Sequence, residues 1–168
     1  MSSIHETAYP RLKLEFTEQE LVSIYTPTAR ELAFVREHYR QVTHQTYLLI
    51  QLKLLQRLGY FSPLSAVPTV VIEHICKSAD VRVPVKRDLV RYDQSGSKSV
   101  HHQRLRAFVG IRMIDTDGEQ WLKQQALQAA QTKQELPDII NVLIEELVQR
   151  RYELPGFTFL FCLGRVIN

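Results

Sequence analysis

An all-α fold is predicted by three observations. Apolar residues recur three and four positions apart, no stretch alternates as a half-buried strand does, and threonine–glutamate pairs stand at the heads of the periodic segments. The pattern suggests two small helical bundles, residues 1–79 and 80–168, with a helix-turn-helix in the second.

The elements follow in order. Thr17 with Glu20 forms a capping box that opens the first helix, and Thr28 with Glu31 opens the second, which carries Leu32, Val35 and Tyr39 on one face. Residues 43–58 are the most apolar stretch. Tyr47, Leu48, Leu49, Ile50, Leu52, Leu54, Leu55 and Leu58 leave only a narrow strip with Lys53, Gln56 and Arg57, the pattern of a central helix. Gly59 suits the left-handed position that ends it. After a turn at 64–68, Pro68 suits the first turn of a fourth helix reaching about Lys77.

Residues 80–84 read as a linker. A short helix over 85–92, a turn at 93–97 centred on Gly96 and a helix over 98–109 ended by Gly110 come next. Asp115 or Asp117 caps the following helix, which runs through Trp121 to about Thr132. Pro137 starts a long helix with Ile140, Leu143, Ile144, Leu147 and Val148 as its buried stripe. Leu154, Pro155 and Gly156 break it, and an apolar piece over 157–166 follows.

Charge is concentrated in the middle of the chain. Nine Lys/Arg against three Asp give residues 77–112 a net +6, whereas 1–76 balance and 113–168 carry −3. The whole chain sums to only +3. A basic stripe mixed with Ser, Gln and His suits a phosphate backbone and base edges; the other reading is a solvated basic surface. The predicted helix-turn-helix lies within this stripe. On a helical wheel Val100, Leu105, Phe108 and Val109 spread over one side of its second helix, and Ser99, His102, Gln103 and Arg106 fall opposite. Two readings fit: an amphipathic helix with a solvated face, or a helix in the major groove. On the second, these four, Ser99, His102, Gln103 and Arg106, are the candidate base or phosphate contacts, with Gln103 suited to adenine and Arg106 to guanine. Lys86, Arg87, Arg91 and Lys98 are backbone clamps, joined by Ser97 in the turn and by Arg112 at the end of the stripe. Lys53, Gln56 and Arg57 contribute from the first unit, together with Arg40, His44 and Gln45. His101 and Arg104 lean to the apolar side, His101 as a half-buried residue bonded to a backbone carbonyl and Arg104 snorkelling or paired with Asp88 or Asp93.

Other chemistry finds no pattern. Cys76 and Cys162 sit in apolar contexts, without the spacing of a disulfide framework or a zinc site. Neither a nucleophile elbow nor a glycine-rich phosphate loop occurs. The amino terminus lacks the pattern of a signal peptide, and no apolar run is long enough to span a bilayer, so a cytoplasmic, nucleoid-associated location is expected, with no membrane partner.

Several motifs together resemble one family. Leu48, Gln51, Leu52, Lys53, Gln56, Arg57, Leu58, Gly59, Tyr60 and Phe61 are similar to the "LQL-x-x-LR-x-x-G-x-F" element near the amino terminus of class II replicative transposases, the family named after transposon Tn-three. Tyr92, His101 or His102, and Val109-Gly110-Ile111-Arg112 resemble its "Y…H…LGYR" stretch. Gln131-Thr132-Lys133, Pro137 to Asn141, and Arg150 to Pro155 resemble the end of the same region. The likeness spans essentially all 168 residues. It departs at Ser95, where the family often carries arginine, and at 159–164, which is more apolar than the family's usual charged helix.

The resemblance implies tandem helical DNA-binding units that recognise the terminal inverted repeats of a transposon. The catalytic acidic triad and its magnesium belong to a later region of such proteins, so this part is expected to bind double-stranded DNA without cutting it and to need no cofactor. The rest of the transposase or a second copy is the expected protein partner. A regulatory or protein-interaction module is the alternative from a different class.

Overall fold

A computed structural model describes residues 4–167. Among them the regular structure is helical, with only a single bridge between Arg112 and Tyr152 in place of any strand. The fold class is therefore all-α, as expected. The chain divides into two compact units, one made of residues 11–109 and the other of 4–10 together with 110–167.

The larger unit contains α1 (Glu18–Tyr25), α2 (Ala29–His38), α3 (Val42–Leu58), a 3-10 turn (Leu64–Ala66), α4 (Thr69–Ser78), α5 (Lys86–Asp93) and α6 (Ser97–Val109). Both capping boxes form: Thr17 accepts from the Glu20 N–H and Thr28 from the Glu31 N–H, with each glutamate reaching back. α3 is the centre, with Leu48, Ile50, Leu52 and Leu54 fully buried and α1, α2, α4 and α6 packed around it. Burying one such leucine side chain stabilises by about 1.5–3 kcal/mol, so this helix dominates the core. It ends at Gly59, whose φ of 78° is left-handed backbone that a side chain would strain. Pro68 occupies the N-cap position of α4, just before its first turn, without a capping hydrogen bond from its side chain.

The boundary expected near residue 80 falls inside this unit. α5 packs on the Leu64–Ala66 turn and α6 on α3, so the segment after the linker returns to the core of the segment before it. Asp93 fixes that return, its two carboxylate oxygens accepting the Leu64 and Ser65 N–H groups at 2.8 and 3.0 Å.

The smaller unit packs α7 (Thr116–Thr132), α8 (Leu136–Gln149) and α9 (Phe157–Ile167) against one another. Asp115 caps α7 by accepting from the Gly118 N–H at 2.8 Å. α8 buries Ile139, Ile140, Leu143, Ile144 and Leu147, but Val148 is 58% exposed. At about 100° per residue Val148 lies past the edge of that stripe, which explains the difference from expectation. The amino-terminal segment joins this unit: the Ala8 N–H donates to Asn141 Oδ1 at 2.7 Å and the Tyr9 hydroxyl to the Pro155 carbonyl at 2.9 Å.

Candidate nucleic-acid interface

α5, the turn over residues 94–96 and α6 form the expected helix, tight turn and helix, within a residue of the expected bounds. The turn is held locally. The Ser95 hydroxyl donates to the Tyr92 carbonyl at 2.8 Å, and Lys98 Nζ donates to the Asp93 carbonyl at 2.6 Å. Lys98 thus closes the turn with one of its three ammonium protons. Lys86, Arg87 and Arg91 are exposed on α5, while Leu89 and Tyr92 turn inward. Ser97 is half-buried at the start of α6. With Thr43, Arg91 and Ser95 it lines a shallow cleft of about 360 Å³ beside the turn, which also takes in Asp88.

The inward face of α6 is built on His101 and Leu105, both fully buried. His101 is more buried than expected and bonds to a side chain, not to a backbone carbonyl: its Nδ1 and the Tyr92 hydroxyl share a 2.7 Å hydrogen bond. The Tyr39 ring stacks on His44 at 5.2 Å and meets His101 edge-on at 4.9 Å. Burial pushes His101 down to about 4, helped by repulsion from His44, His102 and Arg104, so the imidazole is neutral. Burial also pushes the Tyr92 hydroxyl well above its ordinary value. Arg104 lies over the Tyr39 ring at 4.8 Å, so its partner is an aromatic face and not Asp88 or Asp93.

His102 and Arg106 leave the expected polar stripe for a shared aromatic neighbour. The His102 ring lies parallel to Phe61 at 3.7 Å, and Arg106 Cζ sits 5.1 Å from the same ring. Burial, with repulsion from Arg106 and Lys98, lowers His102 to about 4. A neutral, stacked imidazole brings no cation to a phosphate, which corrects its place among the contacts. Val100, placed on the apolar side of the wheel, is 45% exposed. The buried arc centres on His101 and Leu105 and leaves Val100 on the far side. Ser99 and Gln103 are exposed as expected, and Ala107 joins them.

The first-unit strip divides. Arg57 and Arg40 are exposed. Lys53 is only 6% exposed, and its Nζ meets Glu31 Oε2 at 3.2 Å between side chains that are both about 7% exposed. Gln56 donates to Glu31 Oε1 at 2.7 Å and the Thr28 N–H to Oε2 at 2.8 Å. Burial alone would raise the Glu31 carboxyl, but these donors and the Lys53 charge more than offset it and hold the carboxyl below its ordinary value. Lys53 is therefore a structural cation and is removed from the contact set. Gln45 donates to the Tyr39 carbonyl at 2.6 Å and His44 belongs to the aromatic group, so both are committed inside the unit.

Arg112 lies in the other unit. It is exposed, with its backbone bonded to Arg151 and Glu153 and its guanidinium 4.2 Å from the Tyr152 ring centre. Ala107 was not singled out from sequence, Val100 was placed on the apolar side, and Phe61 was named only within the family motif and not as a neighbour of α6. Phe61 lies 41 positions before His102, beyond any local pattern. Among the described residues no cluster of three metal-ligating side chains occurs, and no helix is long and apolar enough to cross a membrane. A search of curated proteins found no match. The family model described as "Domain of unknown function (DUF4158)" matches residues 1–164, nearly the whole chain, and the chain belongs to that family.

Proposed function

We propose that this chain binds duplex DNA, with α6 laid in the major groove, as the non-catalytic DNA-recognising part of a class II replicative transposase acting on terminal inverted repeats. The observation that carries this reading is the exposure of three cations on α5, Lys86, Arg87 and Arg91, together with that of the uncharged polar pair Ser99 and Gln103 on α6, across one tight turn. Cations at the margin position a helix on the phosphates, and neutral hydrogen-bonding groups between them suit base edges. The motif resemblance supports the transposon end as the duplex, and it extends over the residues that the family model matches.

The test begins with selection of a duplex from a randomised library. That duplex is then titrated against a scrambled one at two salt concentrations. The reading expects preference for the selected duplex and a slope of log affinity against log salt of about 0.9 per phosphate contact. Equal affinity for both duplexes refutes the specificity. A second reading, a module that docks on another protein, is favoured by Phe159, Cys162 and Val166, which stand exposed at i, i+3 and i+7 on α9. Salt-insensitive self-association without DNA affinity would select it.

A further inference from the structure

The outer face of α6 has a chemistry that its surrounding charge hides. Ser99, Val100, Gln103 and Ala107 are the exposed residues of this helix. At about 100° per residue all four fall within an arc of roughly 100°. No cation lies in that arc: Arg106 is at its margin, over the Phe61 ring, and Arg104 is over Tyr39. Val100 stays 45% exposed on a helix that has a buried side available. The face thus offers a hydroxyl, an amide and two small apolar groups, and the preceding helix, α5, carries the exposed cations Lys86, Arg87 and Arg91.

We propose that this face selects A·T base pairs, with Val100 and Ala107 set against thymine C5 methyl groups and the Gln103 amide between them paired to adenine. The inference rests on the DNA-binding reading above and deepens it from duplex DNA to a base composition. In the major groove a thymine methyl is the apolar landmark, and a glutamine amide matches the donor and acceptor of adenine. The spacing fits. Seven residues separate Val100 from Ala107, a rise of about 10 Å along a helix axis. That is about three base-pair steps at roughly 3.4 Å each. Gln103 stands near the middle, so the face covers a short run with a methyl contact toward each end. An arginine reading guanine would need its guanidinium in this arc, and the structure holds Arg106 to one side.

The experiment uses the full chain and the duplex recovered by selection, prepared once with thymine and once with deoxyuridine, which lacks only the C5 methyl. Loss of each contacted methyl should weaken binding about fourfold, the equivalent of one buried methylene. Val100→Ala should weaken binding to the thymine duplex by a similar factor and lose its preference for thymine at one position. Its salt slope should be unchanged, because no phosphate contact is lost. Val100 packs little, and circular dichroism checks that the variant is folded. Equal affinity of the wild type for the two duplexes, with selectivity over scrambled DNA retained, overturns this inference and leaves DNA recognition standing. A selected core made only of G·C pairs overturns it in the same way. Absence of any duplex binding overturns both.

Discussion

Lys53→Met separates a structural cation from a DNA contact. Methionine keeps most of the apolar stem and deletes the charge. In the wild type Nζ lies 3.2 and 3.4 Å from the two Glu31 oxygens. At 3.2 Å and an effective dielectric of about 20, the attraction is about 5 kcal/mol, most of it offset by the cost of removing both charges from water. Removing one partner leaves that cost in place. Glu31 stays ionised, because the Thr28 N–H and the Gln56 amide still bond to it, and it is then a stranded buried carboxylate. The expected loss is about 3–5 kcal/mol at neutral pH. Urea unfolding of Lys53→Met, Glu31→Gln and the double variant measures it, and the double variant should recover most of the loss. The pH sign follows from the lowered carboxyl: the wild-type contribution is complete above the ordinary value of 4.5 and fades as pH falls through the lower folded value. The deficit of Lys53→Met should therefore shrink as pH falls into the acid range, as its Glu31 takes up a proton. DNA binding by the folded variant should keep its salt slope. A variant as stable as the wild type whose slope falls by about 0.9 would refute the assignment and return Lys53 to the phosphates.

Two further predictions concern stability. His101 and His102 are both held at about 4, against 6.5 for a free imidazole, so the unfolded chain binds protons more tightly. Stability should be complete above about pH 6.5 and fall toward pH 4, by roughly 3 kcal/mol for the fully buried His101. A thermal-unfolding series tests this, and His101→Gln with His102→Gln should flatten the curve between 6.5 and 4.5, above the Glu31 window. Gly59→Ala should cost about 1–2 kcal/mol because its φ is +78°, whereas Gly96→Ala, with no heavy atom within 4 Å of the new Cβ, should change the melting temperature little.

Local rules made much of the fold legible. The capping boxes at Thr17 and Thr28, the left-handed Gly59 and the α5–turn–α6 bounds each depend on residues at most four positions apart, which sequence displays directly. The candidate site was legible in part. Exposed cations on α5 and the Ser99–Gln103 pair follow from periodicity. Charge type alone does not reveal burial, and it misplaced Lys53, although a lysine between Leu52 and Leu54 in an otherwise buried helix carried a signal. The Phe61 platform under His102 and Arg106 and the outward turn of Val100 depend on how α6 is rotated about its axis. Packing on α3 decides that rotation, through His101 and Leu105. The division near residue 80 failed for the same reason: a linker marks a break in helix, not a break in core.

The discontinuous smaller unit has a consequence for how the chain forms on a ribosome. Every segment of the larger unit has been made once residue 109 emerges, and it can fold then. Ala8 and Tyr9 are made earlier still, yet their partners at Asn141 and Pro155 come more than a hundred positions later. Synthesis order and assembly order are thus reversed for the amino-terminal segment. It must remain accessible while the middle of the chain condenses, and a nascent chain stalled before residue 141 should leave it open to protease.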